Sequence, residues 1–154
     1  MTCAIRFSVK KYNHGNTNSE EQWRRVFIDP EKSVQIGMRG SLYDPDDFKI
    51  AADLGFTVIP GDKLHTYSPE DLLKVIKEKV GDNKVFLTFD IDFVDPAYAP
   101  GTGTPEVGGF TSFETLQYIR ALKDLNFTGF DVVEVVPPYD HSEITAYMGA
   151  NIIF

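Results

Sequence analysis

Four short, almost uninterrupted apolar runs punctuate this chain, and a segment with the marks of a helix follows each one. "SVQIGMR" (Ser33 to Arg39) reads as a buried strand. "YDPDDFKIAADLG" reads as a helix with Asp44 as N-cap, Pro45 at the first position and Gly55 as the stop. "FTVIP" is the second strand. In "SPEDLLKVIKEKVG", Ser68 caps, Pro69 opens, acids fill the first turn and Lys77 and Lys79 the last. Its inward stripe is Leu72, Leu73, Ile76 and Val80. "KVFLTFDID" is the third strand. The helix after it starts with Thr111 and Glu114 at capping-box spacing and carries Leu116, Ile119 and Leu122 on one side. "GFDVVEVVPP" is the last strand, stopped by Pro137 and Pro138. "SEITAYMGANIIF" is the last helix, with Ile144, Met148 and Ile152 four apart. Continuous apolar strands separated by helices predict an α/β fold: a three-layer α-β-α arrangement with a mostly parallel sheet and right-handed crossovers.

The balance of residues narrows the partners. Of the 154 residues, 42% are hydrophobic and 25% charged, which suits one globular domain over 1–154. The net charge of −8 argues against a nucleic-acid partner, since phosphate binding needs a basic face, and weakly favours cationic small molecules. Cys3 is the single cysteine, so no intrachain disulfide can form. No run is long and apolar enough for a membrane span, and the start lacks a secretory h-region. The expected compartment is the cytoplasm.

Chemistry concentrates in "FLTFDIDFVDPAYAPGTGTPEVGG", Phe86 to Gly109. Asp90 and Asp92 stand two apart where an apolar strand ends, so they share a side at the carboxyl edge of the sheet, where open α/β sheets gather ligands. Two ionised carboxylates that close repel, and one keeps its proton unless a cation intervenes. Their hard oxygens suit Mg²⁺ or Mn²⁺. The Pro/Gly/Thr stretch from Asp95 to Gly109 reads as a loop shaping a pocket mouth. The bland alternative is that one aspartate caps a turn while the other is solvated.

"FDIDFVDPAYAPGTGTPEVGG" closely resembles the signature of the ureohydrolases, the arginase and agmatinase family. "SVQIGMRGS", "LKDLNFTGFDVVEVVPPYD" and "SEITAYMGANIIF" are similar to further segments of agmatinase-type members. The resemblance runs from about Ile28 to Phe154 and leaves 1–27 poorly matched. It implies that Asp90 and Asp92 ligate a pair of manganese ions. It also implies that Glu134 receives the guanidinium group of a small substrate, which is hydrolysed to urea and an amine. Agmatine, giving putrescine, is the leading substrate and guanidinobutyrate the alternative. His14, in "KYNHGNT", looks like the family's histidine near the substrate, although Asn16 interrupts that pattern; an exposed loop histidine is the other reading. His65 and His141 read as surface residues.

The family's "GGDHS"-like and "DAHxD"-like segments, which supply most metal ligands, have no counterpart in this sequence. The resemblance therefore implies a truncated arginase-like fold, the carboxyl-terminal part of an agmatinase-like enzyme, incomplete and inactive alone. The alternative is a non-catalytic family member. Such a chain would expose hydrophobic sheet edge and associate through it, as a homo-oligomer or otherwise. A phosphatase of the haloacid-dehalogenase type also uses D-x-D, but "APGTGTPEVGG" does not resemble its continuation.

Overall fold

The computed structural model describes residues 5–11, 27–42 and 44–154. Five strands form one sheet: β1 (Ile5–Lys11), β2 (Phe27–Met38), β3 (Thr57–Pro60), β4 (Val85–Asp90) and β5 (Phe127–Val133). Their order is β3-β2-β1-β4-β5. β2 and β3 run parallel, as do β4 and β5, whereas β1 runs antiparallel to both of its neighbours. Four strands therefore point one way and the central one runs against them. The expected mostly parallel α/β sheet is present. The apolar runs of the sequence did not reveal β1, the strand at its centre.

The core lies on one face of this sheet. Register places Ile5 beside Ile36 and Phe89, and Phe7 beside Val34 and Leu87. All six are buried. Helix α3 (Pro69–Val80) covers them with Leu72, Ile76 and Val80, each fully buried. Removing such a side chain from water contributes about 1.5–3 kcal/mol. Helix α4 (Ser112–Ala121) adds Tyr118, whose hydroxyl donates to the carbonyls of Leu64 and Tyr67. Helix α5 (Ile144–Ile153) lies over the same face at β5: a Cβ built on Gly149 would stand 3.8 Å from Val132 and Val135. The opposite face is less covered. Gln35, Phe86 and Thr88 are half-buried, and Asp131 and Val133 are exposed.

Local signals were good guides to α3 and α4. Ser68 accepts from the Asp71 N–H at 3.1 Å, and the Asp71 carboxylate reaches back to the Ser68 N–H. Thr111 and Glu114 form the same reciprocal box. Ser68→Ala is expected to cost about 0.5–2 kcal/mol in a denaturant melt, because the Asp71 N–H loses its partner.

One local expectation is corrected. Helix α1 spans Asp47–Asp53, so it starts later than the proline signal suggested. Asp44 does not cap it; its carboxylate accepts from the Asp46 N–H at 2.8 Å, closing a turn that also contains Pro45. Gly55 does end the segment, at φ +101°. In α4 the deepest positions are Thr115 and Tyr118; Leu116 and Ile119, partly buried, and the buried Leu122 just beyond the helix pack against the core as well. A short helix α2 (Gly61–Leu64) follows β3 and buries Leu64.

Candidate active site

Asp90 is the last residue of β4, and the register sets it opposite Val133, the last residue of β5. Glu134 follows at once, so the two acids stand at adjacent carboxyl ends. The charge of Glu134 is felt by Asp90. Helix α4 lies between these strands in the chain. Glu134 has φ +63°, a left-handed conformation that costs an ordinary residue about 1–3 kcal/mol and concentrates at functional positions.

The backbone turns at Asp90 into a single 3₁₀ turn, Ile91–Phe93. The Asp90 carboxylate accepts from the Asp92 N–H at 3.3 Å, so it does cap a turn. Asp92, however, is not solvated: it is 1% exposed. Its Oδ2 accepts from the Thr104 hydroxyl at 3.0 Å, and its Oδ1 has no hydrogen-bond partner. An orphaned, buried carboxylate oxygen is costly and asks for a donor or a cation. Burial raises the Asp90 pKa from 3.8 to about 8, with further help from the Asp92 carboxylate; the Asp92 N–H pulls the other way, and the charge of Glu134 adds a smaller push upward. The bland alternative of a cap and a solvated acid is thus half right.

The segment from Asp95 to Gly109 is a closed loop. Val94 and Phe110 bridge at its base, and the Asp95 N–H donates to the Phe110 carbonyl at 2.9 Å. The Asp95 carboxylate accepts from Ala97 and Gly109 N–H groups, and these bonds hold it below the usual range against a smaller effect of burial. The far side of the loop docks beside Glu134: Thr102 bridges Val135, and the Val136 N–H donates to Gly101 at 2.8 Å. Gly101 donates to the Thr145 hydroxyl, and a Cβ there would meet Asp140 at 2.7 Å. Asp140 anchors the start of α5 by accepting from His141, Thr145 and Ala146 N–H groups. Burial alone would raise its pKa, but those bonds together keep it low.

Under the loop runs an aromatic stack. Phe93 lies parallel to Phe110 at 4.5 Å and edge-on to Phe89 at 5.7 Å. His65 caps the stack, 4.1 Å from Phe110, with Nε2 at 3.2 Å from the Gly108 carbonyl. It is exposed, as expected, but braced against the loop. His141 is exposed. His14 lies outside the described residues. Arg39, just beyond β2, was not singled out from sequence. Its guanidinium spans the loop, and only the paired geometry reveals it.

The described residues thus unite Asp90, Asp92 and Glu134. As hard oxygen donors, one of them orphaned, the aspartates fit part of a metal site. Among the described residues, no group of three or more His, Cys, Asp or Glu is placed to hold an ion. Two carboxylates do not complete a binuclear centre.

Asp90, Asp92 and Glu134 thus stand at the carboxyl edge of an α/β sheet, beside a glycine-rich loop. The profile of the arginase family matches residues 4–154. The chain is 54% identical over 125 residues to an agmatinase of Photorhabdus laumondii subsp. laumondii, spanning 81% of this chain and 38% of that protein. To the mitochondrial agmatinase of Gallus gallus it is 47% identical over 127 residues, spanning 82% and 37%. Among solved structures, the proclavaminate amidino hydrolase of Streptomyces clavuligerus superposes with a TM-score of 0.77 at 42% identity, over 86% of this chain and 44% of that one. The arginase of Bacillus caldovelox superposes at 0.74 and 27% identity, over 82% and 42%. The chain belongs to the arginase family. It spans less than half the length of each of these relatives.

Proposed function

We propose that this chain carries the aspartate-and-glutamate side of an agmatinase-type ureohydrolase site, which hydrolyses agmatine to putrescine and urea. In this reading Asp90 and Asp92 hold Mn²⁺, Glu134 receives the substrate guanidinium, and His14 lies near it. The observation that carries the reading is the buried Asp92 Oδ1 without a hydrogen-bond partner, two residues from Asp90 and one strand away from Glu134. A carboxylate matches a planar guanidinium through two parallel charge-assisted bonds. The left-handed backbone of Glu134 breaks the extended chain directly after β5. Bound manganese would supply Lewis-acid activation. The described residues do not complete its coordination, and a metal misplaced by about 1 Å can cost roughly a hundredfold in rate.

The polypeptide alone is therefore expected to release no urea from agmatine or guanidinobutyrate, even with excess Mn²⁺. The assay compares it with an Asp90→Ala, Asp92→Ala double variant as the blank. Urea above that blank would show that other residues or a neighbouring subunit complete the centre. A non-catalytic role is the second reading, and one observation favours it: edge strand β5 presents Phe130 at 49% exposure and Val133 at 36%. Association through that edge would show as a concentration-dependent mass in sedimentation.

A further inference from the structure

The fold draws a cation to the backbone of the acidic loop. Near the end of β2 stands Gly37, whose φ of +80° leaves its Cα open to the ring of Phe93; any Cβ there would strike that ring. The chain then delivers Arg39. Its Nη2 donates to the Asp92 carbonyl at 2.8 Å and to the Glu106 carbonyl at 2.6 Å, and its Nε donates to the Val107 carbonyl at 3.2 Å. One guanidinium therefore joins the turn that carries Asp92 to the closing segment of the loop. Gly109 makes room for it: a Cβ there would lie 2.5 Å from both Nη2 and the Asp95 nitrogen. The charge of Arg39 also reaches Asp95, which holds the loop base through Ala97 and Gly109.

We infer that Arg39 is the positioning residue of the site: by holding the Asp92 carbonyl and the Glu106–Val107 segment together, it sets the Asp92 carboxylate against Asp90. The inference rests on the proposed metal role of those aspartates for its purpose, but the clamp can be tested without it. Thr104, which donates to Asp92 Oδ2, lies within the clamped span. Releasing the loop thus frees both the carbonyl and the carboxylate of Asp92 at once. Lysine would not replace the clamp, because a single ammonium lacks the rigid fork that spans three carbonyls.

The test uses the full chain with Arg39→Met and Arg39→Lys. Amide hydrogen exchange is followed at Gly109 and Phe110, whose N–H groups bond Asp95 and the Phe93 carbonyl, with the α3 amides as internal control. Both variants are expected to exchange about tenfold faster at Gly109 and Phe110 and unchanged in α3, as for the loss of a local charge-assisted bond. If Arg39→Met loosens α3 as well, Arg39→Lys decides. Unchanged loop exchange, or full protection with lysine, overturns the clamp. The positioning role is read by Mn²⁺ titration monitored by NMR. Paramagnetic broadening of the Asp92 amide is expected to need several-fold more Mn²⁺ in the variants. A loosened loop with unaltered broadening would reduce Arg39 to loop packing and overturn the inference. If the wild-type chain shows no broadening at Asp90 or Asp92, the proposed metal role fails, and loop exchange alone then decides the clamp.

Discussion

Phe93→Ala is expected to destabilise the chain by about 3–5 kcal/mol, the range for emptying a buried aromatic site. The ring is fully buried, parallel to Phe110 and edge-on to Phe89, with Gly37 against its rim. Aromatic pairs of these geometries add roughly 0.5–1.5 kcal/mol beyond burial. Little can collapse into the space, because Gly37 has no side chain and Phe110 is held by the bridge to Val94. Against a total stability of about 5–15 kcal/mol for a typical domain, this loss is large. Urea unfolding measures it, with a lower midpoint and an unchanged slope. A loss below about 1 kcal/mol would mean that the stack does not carry the loop. The effect should reach the site, since Phe93 follows Asp92 directly and its carbonyl accepts from the Phe110 N–H.

Asp90→Asn should raise the melting temperature at pH 8.5 and change it little at pH 4. The folded pKa of Asp90 is raised to about 8 from 3.8, chiefly by burial and then by Asp92 and Glu134. Between those values the folded chain holds a proton that the unfolded chain has released. Stability from this group is therefore greatest at low pH, falls as pH rises through that window, and is fully lost above about pH 8. Asparagine removes the charge while its amide oxygen can still accept from the Asp92 N–H. Paired thermal melts across pH 4–9 test the sign. A variant that melts lower than the parent at pH 8.5 would show that the ionised Asp90 is stabilised by something the described contacts do not include. Mn²⁺ should raise the melting temperature of the parent more than that of the variant, since a divalent cation relieves the same repulsion.

Much of this molecule was legible from local signals. A capping box is a contact between residues three apart, so Ser68 with Asp71 and Thr111 with Glu114 announce their helices wherever the chain places them. The apolar run ending at Asp90 marks a buried strand, and two acids two residues apart stand at and just past its carboxyl end. The resemblance of "FDIDFVDPAYAPGTGTPEVGG" and of "LKDLNFTGFDVVEVVPPYD" singled out Asp90, Asp92 and Glu134 before any pairing was known. The parallel register of β4 and β5 then brought the first and the last together.

Other features are long-range by nature. β1 takes the centre of the sheet through pairings of Ile5 and Phe7 with both β2 and β4, and nothing within the segment specifies those neighbours or their direction. Tyr118 turns inward onto the carbonyls of Leu64 and Tyr67, which accept its hydroxyl. Burial of Asp92 depends on Thr104 and on a loop whose ends meet through Val94 and Phe110. Arg39 became a clamp because β2 happens to end facing that loop. Local sequence determines which segments can be helix, strand or turn, since those choices are settled between residues a few positions apart. Which acid is buried, which cation holds it and which face is covered are decided by packing, because solvent exclusion at each of these sites requires several separate segments to converge.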